Sequence, residues 1–289
     1  MHSFWARFIL QLVMALMPRR ILEVGAEFGW NTEKLLEYCR EHEAHLDVVD
    51  PAPHPVFHEV LAKFGKEYTY FPLKSLDALV LIAPCDLVLL DGDHNWYTVY
   101  NELSRIFLRA AECGAVPPVV LLHDMGWPYA RRDMYYDPMG IRPEDRQPDA
   151  YCGIVPGQSE LSDLGLNGHF ANAMHEGGPC NGVRTGVEDF VAASPVTMKL
   201  HLLPFFNGLG VLVPEARRTA EVDAVIEGFY SRESLLESCA QLEAQVHNVR
   251  TDLAVHKLRL TERSEALSRA RAAIAGLRDR VGVCRRGGW

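Results

Sequence analysis

The stretch Ile21 to Thr32 reads ILEVGAEFGWNT. An apolar run over Ile21 to Val24 that stops at Gly25 has the length and composition of a buried strand. Gly29 follows, and Asn31 or Thr32 can cap a helix over Glu33 to Arg40. Glycines between a strand and a helix let a ligand lie against the backbone, with the helix N-terminus facing it. A dinucleotide site needs the spacing GxGxxG. Here the spacing is GxxxG, with Ala26 and Glu27 inside it. Glu23 would repel a pyrophosphate and attract an ammonium, which favours a cationic, amino-acid-bearing cofactor.

The same alternation continues downstream. Leu46 to Val49 reads as a strand ended by Asp50-Pro51, and a carboxylate at that place can accept the hydroxyls of a ribose. His54 to Phe64 reads as helix, Tyr68 to Phe71 as strand, Leu76 to Ile82 as helix and Asp86 to Leu90 as strand. Trp96 to Ala111 is a helix with Val99, Leu103, Ile106, Phe107 and Ala110 on one face. Val119 to Leu122 is a further strand. Strands alternating with helices predict a parallel sheet covered on both faces, a Rossmann-like doubly wound α/β fold. Ligands of such sheets bind beyond the C-terminal strand ends. Three of those ends carry acid: Asp50, Asp91 and Asp124.

The rhythm breaks from Gly126 to Gly182, a region rich in Gly, Pro, Tyr, Asp and His. So long a loop in a compact domain is usually functional. Its aromatics, among them Trp127, Tyr129, Tyr135 and Tyr136, argue for an ordered substrate lid. Trp127, Tyr129, Arg131, Arg132 and Tyr135 suit a sugar-like or phosphorylated acceptor through ring stacking and charge. A helix is expected over Gly186 to Ala193. Met198 to Val213 reads as two strands joined at Asn207-Gly208, a terminal antiparallel hairpin.

Residues 1–214 are thus one catalytic-type domain with a lid at about 126–182, and residues 215–289 are a helical segment. From Phe229 to Ala275 there is no Gly or Pro. Apolar residues recur at alternating four and three positions from Leu235 through Leu242, Val249 and Leu253 to Leu260, Leu267, Ile274 and Val281. That is the seam of a coiled coil, weakened where His256 and Arg263 stand in it. It predicts a homo-oligomer.

The chain has 289 residues and a formal net charge of −9. No basic stripe runs through its first two thirds, so a nucleic-acid partner is not expected. The apolar segment Phe8 to Met17 is too short to span a membrane and reads as a buried helix. The seven cysteines show no zinc spacing, which fits reduced thiols in a cytoplasmic protein.

Glu23-x-Gly25-x3-Gly29, then Asp50, then DLVLLDGDH (Asp86 to His94), then VVLLHD (Val119 to Asp124) together resemble the class I S-adenosylmethionine-dependent methyltransferases over roughly residues 10 to 213. DGDHNWYTVYNEL with LLHD resembles a subgroup of sugar and antibiotic-pathway O-methyltransferases, some metal-dependent. The Gly-Gly usual before the fifth strand is replaced by Cys113-Gly114-Ala115 and Pro117-Pro118. The resemblance implies that Glu23, Gly25, Ala26 and Gly29 contact the cofactor, with Asp91 beside them, and that Asp50 holds its ribose. Cys85-Asp86 or Leu76-Asp77 would neighbour the adenine.

Asp91 and Asp124 end neighbouring strands. With His123 or His94 they can hold a hard cation such as Mg²⁺, which would bind a diol and lower the pKa of one hydroxyl. His94 suits the role of base, with Asp91 beside it. The expected function is methylation of a hydroxyl on a small, sugar-containing acceptor. Two alternatives stand beside it: an iron-dependent hydroxylase-like enzyme on the same fold, and an inactive binding or scaffold protein whose coiled coil does the work.

Overall fold

The computed structural model describes residues 1–284, in two compact units, Met1–Ser234 and Leu235 onward. The first unit holds a seven-stranded sheet. Its strands in chain order are β1 (Arg20–Val24), β2 (His45–Val49), β3 (Tyr68–Phe71), β4 (Leu87–Leu90) and β5 (Val119–His123), then β9 (Met198–Leu203) and β10 (Leu209–Pro214). They lie side by side as β3-β2-β1-β4-β5-β10-β9. The first five are parallel, β10 runs antiparallel to β5, and β9 runs antiparallel to β10.

Side chains alternate between the two faces, as strand geometry requires. Ile21, Leu87, Leu89, Val119 and Leu121 enter one core, while Leu22, Val88, Leu90, Val120 and Leu122 enter the other. The first core is covered by α1 (Leu10–Leu16), α2 (Trp30–His42), α3 (Val56–Leu61) and α7 (Ala220–Phe229). The second is covered by α4 (Ser75–Ala78), α5 (Trp96–Glu112) and α6 (Val183–Ala193). Val99, Leu103, Ile106, Phe107 and Ala110 are the buried stripe of α5. That helix starts where the Asn95 side chain accepts from the Thr98 backbone N–H at 2.8 Å.

Several boundaries move. The apolar segment near the N-terminus begins earlier than expected, because Phe4 and Phe8 are buried and carry helical turns ahead of α1. Helix α2 begins at Trp30, with Gly29 in the left-handed region at its cap. Thr32 does not cap it; its hydroxyl donates to Glu23 Oε2 at 2.6 Å. The first unit continues past the boundary expected at 214, because Val222, Ile226 and Phe229 of α7 are buried in the first core. The rings of Phe8 and Phe229 meet edge-on at 5.2 Å.

Residues 126–182 fold around a small antiparallel sheet, β6 (Met134–Tyr135), β8 (Ala171–Ala173) and β7 (Asp149–Ala150), in the order β6-β8-β7. Its seam to the main domain is buried Asp133. Oδ1 accepts from the backbone N–H groups of Trp96 and Gly182, and Oδ2 accepts from the Tyr135 hydroxyl. The lid is therefore bonded at once to the start of α5 and the start of α6.

The second unit is a single helix, the continuation of α8 (Arg232–Cys284). Val246, Val249, Leu253, Leu260, Leu267, Ile274 and Leu277 are exposed along it. Residues 285–289 of the expected helical segment, and the side chain of Val281, lie outside the described residues. Among the described residues no helix is long and apolar enough to cross a membrane.

Candidate functional site

The parallel strands deliver their C-terminal ends to one edge, and two neighbouring ends carry the cluster. β4 stops at Leu90, which places Asp91 and the loop to His94; β5 ends on His123, followed by Asp124. Asp124 has φ +56, a left-handed backbone that a short polar residue tolerates and a bulky one does not. The turn brings its buried carboxylate back over the strand ends.

There the four side chains meet. His94 Nε2 stands 2.7 Å from Asp124 Oδ2. His123 Nδ1 lies 3.0 Å from both Asp91 Oδ1 and Asp124 Oδ2. Its other nitrogen faces the Phe206 carbonyl oxygen at 3.1 Å, so Nε2–H donates and the proton at Nδ1 is shared with the acids. Asp91 Oδ2 accepts from the Met1 ammonium at 2.8 Å.

Burial alone would depress both imidazoles, but the facing carboxylates outweigh it. His123 is raised to about 10 by Asp91 and Asp124. His94 is raised chiefly by Asp124, with help from Asp91 and Asp93. Burial would in turn raise Asp124, yet His94 and His123 hold it well below the ordinary carboxylate range. The ligand atoms of Asp91, His123 and Asp124 lie within 4.8 Å of one another, so this trio is the group that a metal ion could use. His94 sits beside it, on Asp124. Asp93 belongs to the turn: it accepts from its neighbour's N–H and from the Thr98 hydroxyl.

The β1 and β2 ends are different. Asp50 Oδ2 accepts from the N–H groups of Ala26 and Glu27 at 2.9 and 3.0 Å, and Oδ1 accepts from Ala52 at 2.9 Å. Asp50 thereby fixes the turn that carries Ala26. Gly25 is required by the chain itself: a Cβ there would stand 2.1 Å from the Asp91 carbonyl oxygen. At Gly29 a Cβ would press on Val60 and Phe57. Glu23 is buried under the turn, and burial raises it to about 8 against the pull of the Thr32 hydroxyl. It does not present a free carboxylate at neutral pH.

Of the acceptor-facing residues expected from sequence, Arg131, Arg132 and Tyr135 have partners within the protein. Arg132 is 1% exposed and donates to the carbonyl oxygens of Ala173 and Ser159. Tyr135 is equally buried, bonded to Asp133 and to the Gln147 N–H. Arg131 is engaged by Glu188 at 2.7 Å and by Thr185. Arg132 and Tyr135 thus bond within residues 126–182, and Arg131 ties that segment to α6. Tyr129 stays near the site, its ring 5.5 Å from that of His94, with Asn167 donating to its hydroxyl. Trp127 is half-buried against the second core. Tyr136, named among the aromatics of this segment but not among the acceptor-facing residues, lies 5.8 Å from the His94 ring and is 57% exposed. Its signal was adjacency: the Met134 N–H donates to the His94 carbonyl oxygen, so the tyrosine two residues on must lie near.

Asp86 is excluded as an adenine neighbour. It sits at the N-terminal edge of the sheet, accepting from the N–H groups of Arg19 and Arg20 and pairing with Arg217. Leu76-Asp77 lies on α4.

No family model matches the chain, and no curated protein matches it. Among solved structures it is similar to the S-adenosylhomocysteine-bound methyltransferase PaMTH1 of Podospora anserina, with 17% identity, 71% of this chain and 76% of that chain covered, and a TM-score of 0.45. It is similar to the O-methyltransferase TomG of Streptomyces achromogenes, in complex with SAM and involved in tomaymycin synthesis, with 18% identity, 71% and 78% covered, and a TM-score of 0.41. It is also similar to the 1,6-didemethyltoxoflavin N1-methyltransferase of Burkholderia thailandensis, with 11% identity, 73% and 80% covered, and a TM-score of 0.39.

Proposed function

We propose that this chain is a class I S-adenosylmethionine-dependent O-methyltransferase acting on a hydroxyl of a small, sugar-like acceptor. The observation that carries the reading is the cluster at the β4 and β5 ends: two carboxylates and two imidazoles in direct contact, at the sheet edge where such folds bind ligands. The cofactor supplies an electrophilic methyl group. Asp50 and the backbone it braces from Ala26 to Glu27 form its bed, beside Gly25, Gly29 and Asp91. Glu23 acts from beneath, holding α2 through Thr32.

A divalent cation fits the donor set of Asp91, His123 and Asp124. Two carboxylates suit Mg²⁺, and the Phe206 carbonyl fixes His123 with Nδ1 turned to the acids, the kind of outer support that metal-bound histidines use. Such an ion would polarise an acceptor oxygen. His94 takes the acceptor's proton. Its Nε2 points at the same acids, and their charge makes the imidazole a stronger base than it is in water. Tyr136, exposed beside the ring, offers a face for a sugar to stack on, and buried Tyr129 backs the imidazole at its other ring contact. The residues mainly align the reactants, which for a displacement at a methyl group is most of the work.

The exposed four-three seam of α8 pairs with a second copy of the chain, giving a homo-oligomer.

The test is a methyl-transfer assay over a panel of sugars and glycosides, with Mg²⁺ or with a chelator. We expect turnover that chelation removes and that His94→Ala lowers by ~100-fold or more. Turnover that is insensitive to both would contradict the roles given to the cluster. Light scattering of the full chain would read at least twice the monomer mass; a monomer at tens of micromolar would rule out the pairing of α8.

A further inference from the structure

Glu102 lies on α5, under the loop that carries His94. It is 1% exposed, and no step of the proposed reaction uses it. The Ser75 side chain hydrogen-bonds its carboxyl, but Oε1 is buried without a partner. His94 Nδ1 is also buried without a partner. A buried polar atom without a partner is destabilising, so two of them beside a reactive cluster call for a reason.

Both residues line one narrow pocket. Its walls also include Asp93, Val99 and the cluster acids Asp91 and Asp124. It has room for about one water. A water there can donate to one orphan and accept from the other, which answers both.

We infer that a single buried water bridges His94 Nδ1 to Glu102 Oε1, making Glu102 the positioning residue for His94. Asp124 holds the ring by Nε2, and the water holds it by Nδ1. With Nδ1 restrained by the water the imidazole keeps one orientation toward the acids, and Nε2 is the nitrogen left to exchange Asp124 for the acceptor. This is the logic of a base oriented by a third group, with a water in the linking place. A water needs polar partners on more than one side, and the pocket supplies them. Val99, Leu122 and Val183 close the rest of the wall, and of the polar groups that line it, His94 Nδ1 and Glu102 Oε1 are the buried atoms without a partner.

The inference rests on the methyltransferase reading only for its consequence; the bridge itself is read without turnover. Crystals of the protein free of cofactor and acceptor, diffracting well enough to place waters, should show one ordered water within hydrogen-bond reach of both atoms. Glu102→Gln should keep it, because an amide also donates and accepts. Glu102→Leu should lose it and leave the His94 ring in more than one orientation. In kinetics, Glu102→Gln should retain most of kcat. Glu102→Leu should lower kcat tenfold or more with KM and S-adenosylmethionine affinity little changed, in contrast to Glu102→Gln. A dry pocket in the parent protein, or a single unchanged His94 orientation in Glu102→Leu, would overturn the bridge. A bridge present in crystals with no effect on kcat would overturn the positioning role. If the parent protein binds no S-adenosylmethionine, the methyltransferase reading falls, while the crystals still decide the bridge.

Discussion

Two pairs of strand ends share one sheet edge and treat their acids in opposite ways. At the ends of β1 and β2 the carboxylates are consumed by the fold: Asp50 collects three backbone N–H groups, and Glu23 is buried beneath the turn on the Thr32 hydroxyl. At the ends of β4 and β5 the acids face imidazoles, and the four side chains hold charge against charge. The first pair makes a rigid bed. The second makes a polarised cluster whose partners can exchange. A cofactor needs the former and proton chemistry needs the latter, and a parallel sheet sets them one strand apart.

The largest effect is expected where the two regions touch. Gly25→Ala would drive a Cβ into the Asp91 carbonyl oxygen and would also strain a backbone at φ +85. We predict a loss of ~3 kcal/mol or more, or failure to fold, measured by soluble yield and chemical unfolding. Near-parental stability would mean that the turn and the β4 end are not in contact.

Next comes the cluster itself. Asp124→Asn keeps the left-handed backbone but removes the charge that holds two imidazoles. Breaking a buried pair should cost about 3–5 kcal/mol. His123 should titrate well below its value of about 10, as read by NMR of the imidazole protons, and turnover should fall by ~100-fold. An unmoved His123 titration would show that Asp91 alone sustains it.

A gradual effect, spread over several pH units, separates the bed from the cluster. Burial holds Glu23 at about 8 in the fold, against 4.5 for an ordinary glutamate in water. Between those values the native state binds the extra proton, so stability falls as pH rises from about 4.5 to about 8 and is level beyond. The slope is at most about 1.4 kcal/mol per pH unit. Glu23→Gln should flatten part of it, with the remainder belonging to Glu102, which titrates likewise at about 8. Unfolding curves across that range check this, and an unchanged slope would place Glu23 in water rather than under the turn.

The smallest effect lies in the lid. Arg131→Ala breaks a half-exposed pair with Glu188, each side chain 37% exposed, and should cost under ~1 kcal/mol. Turnover should change little. A large loss of turnover would return Arg131 to the acceptor's binding surface.

What could be read in advance follows physical rules of differing range. The strands of the sheet were legible because buried parallel strands are short apolar runs, and their terminal acids stood out against them. Asp91, His123 and Asp124 could be grouped because adjacency of β4 and β5 follows from alternation. The lid was not legible in the same way. Arg132 and Tyr135 look like ligand-binding residues in a loop, and only the fold reveals that Asp133, Ala173 and Ser159 already satisfy them. Thr32 shows the same limit on a smaller scale: a residue type that caps helices donates instead to the Glu23 carboxylate on the preceding strand, β1. Glu102 was hidden because a lone acid on an amphipathic helix reads as a solvated position until its burial is known. The edge of the first unit was missed because α7 follows a proline and seemed to open the helical segment, whereas Val222, Ile226 and Phe229 complete the first core.

The central claim is that the β1–β2 bed receives S-adenosylmethionine. The most direct measurement is a calorimetric titration of S-adenosylmethionine and S-adenosylhomocysteine into the full chain, with and without Mg²⁺, repeated on Asp50→Ala. The account predicts micromolar binding by the parent chain and none by Asp50→Ala, whose circular dichroism should still report a folded sheet. No binding by the folded parent chain, with or without the metal, would contradict it.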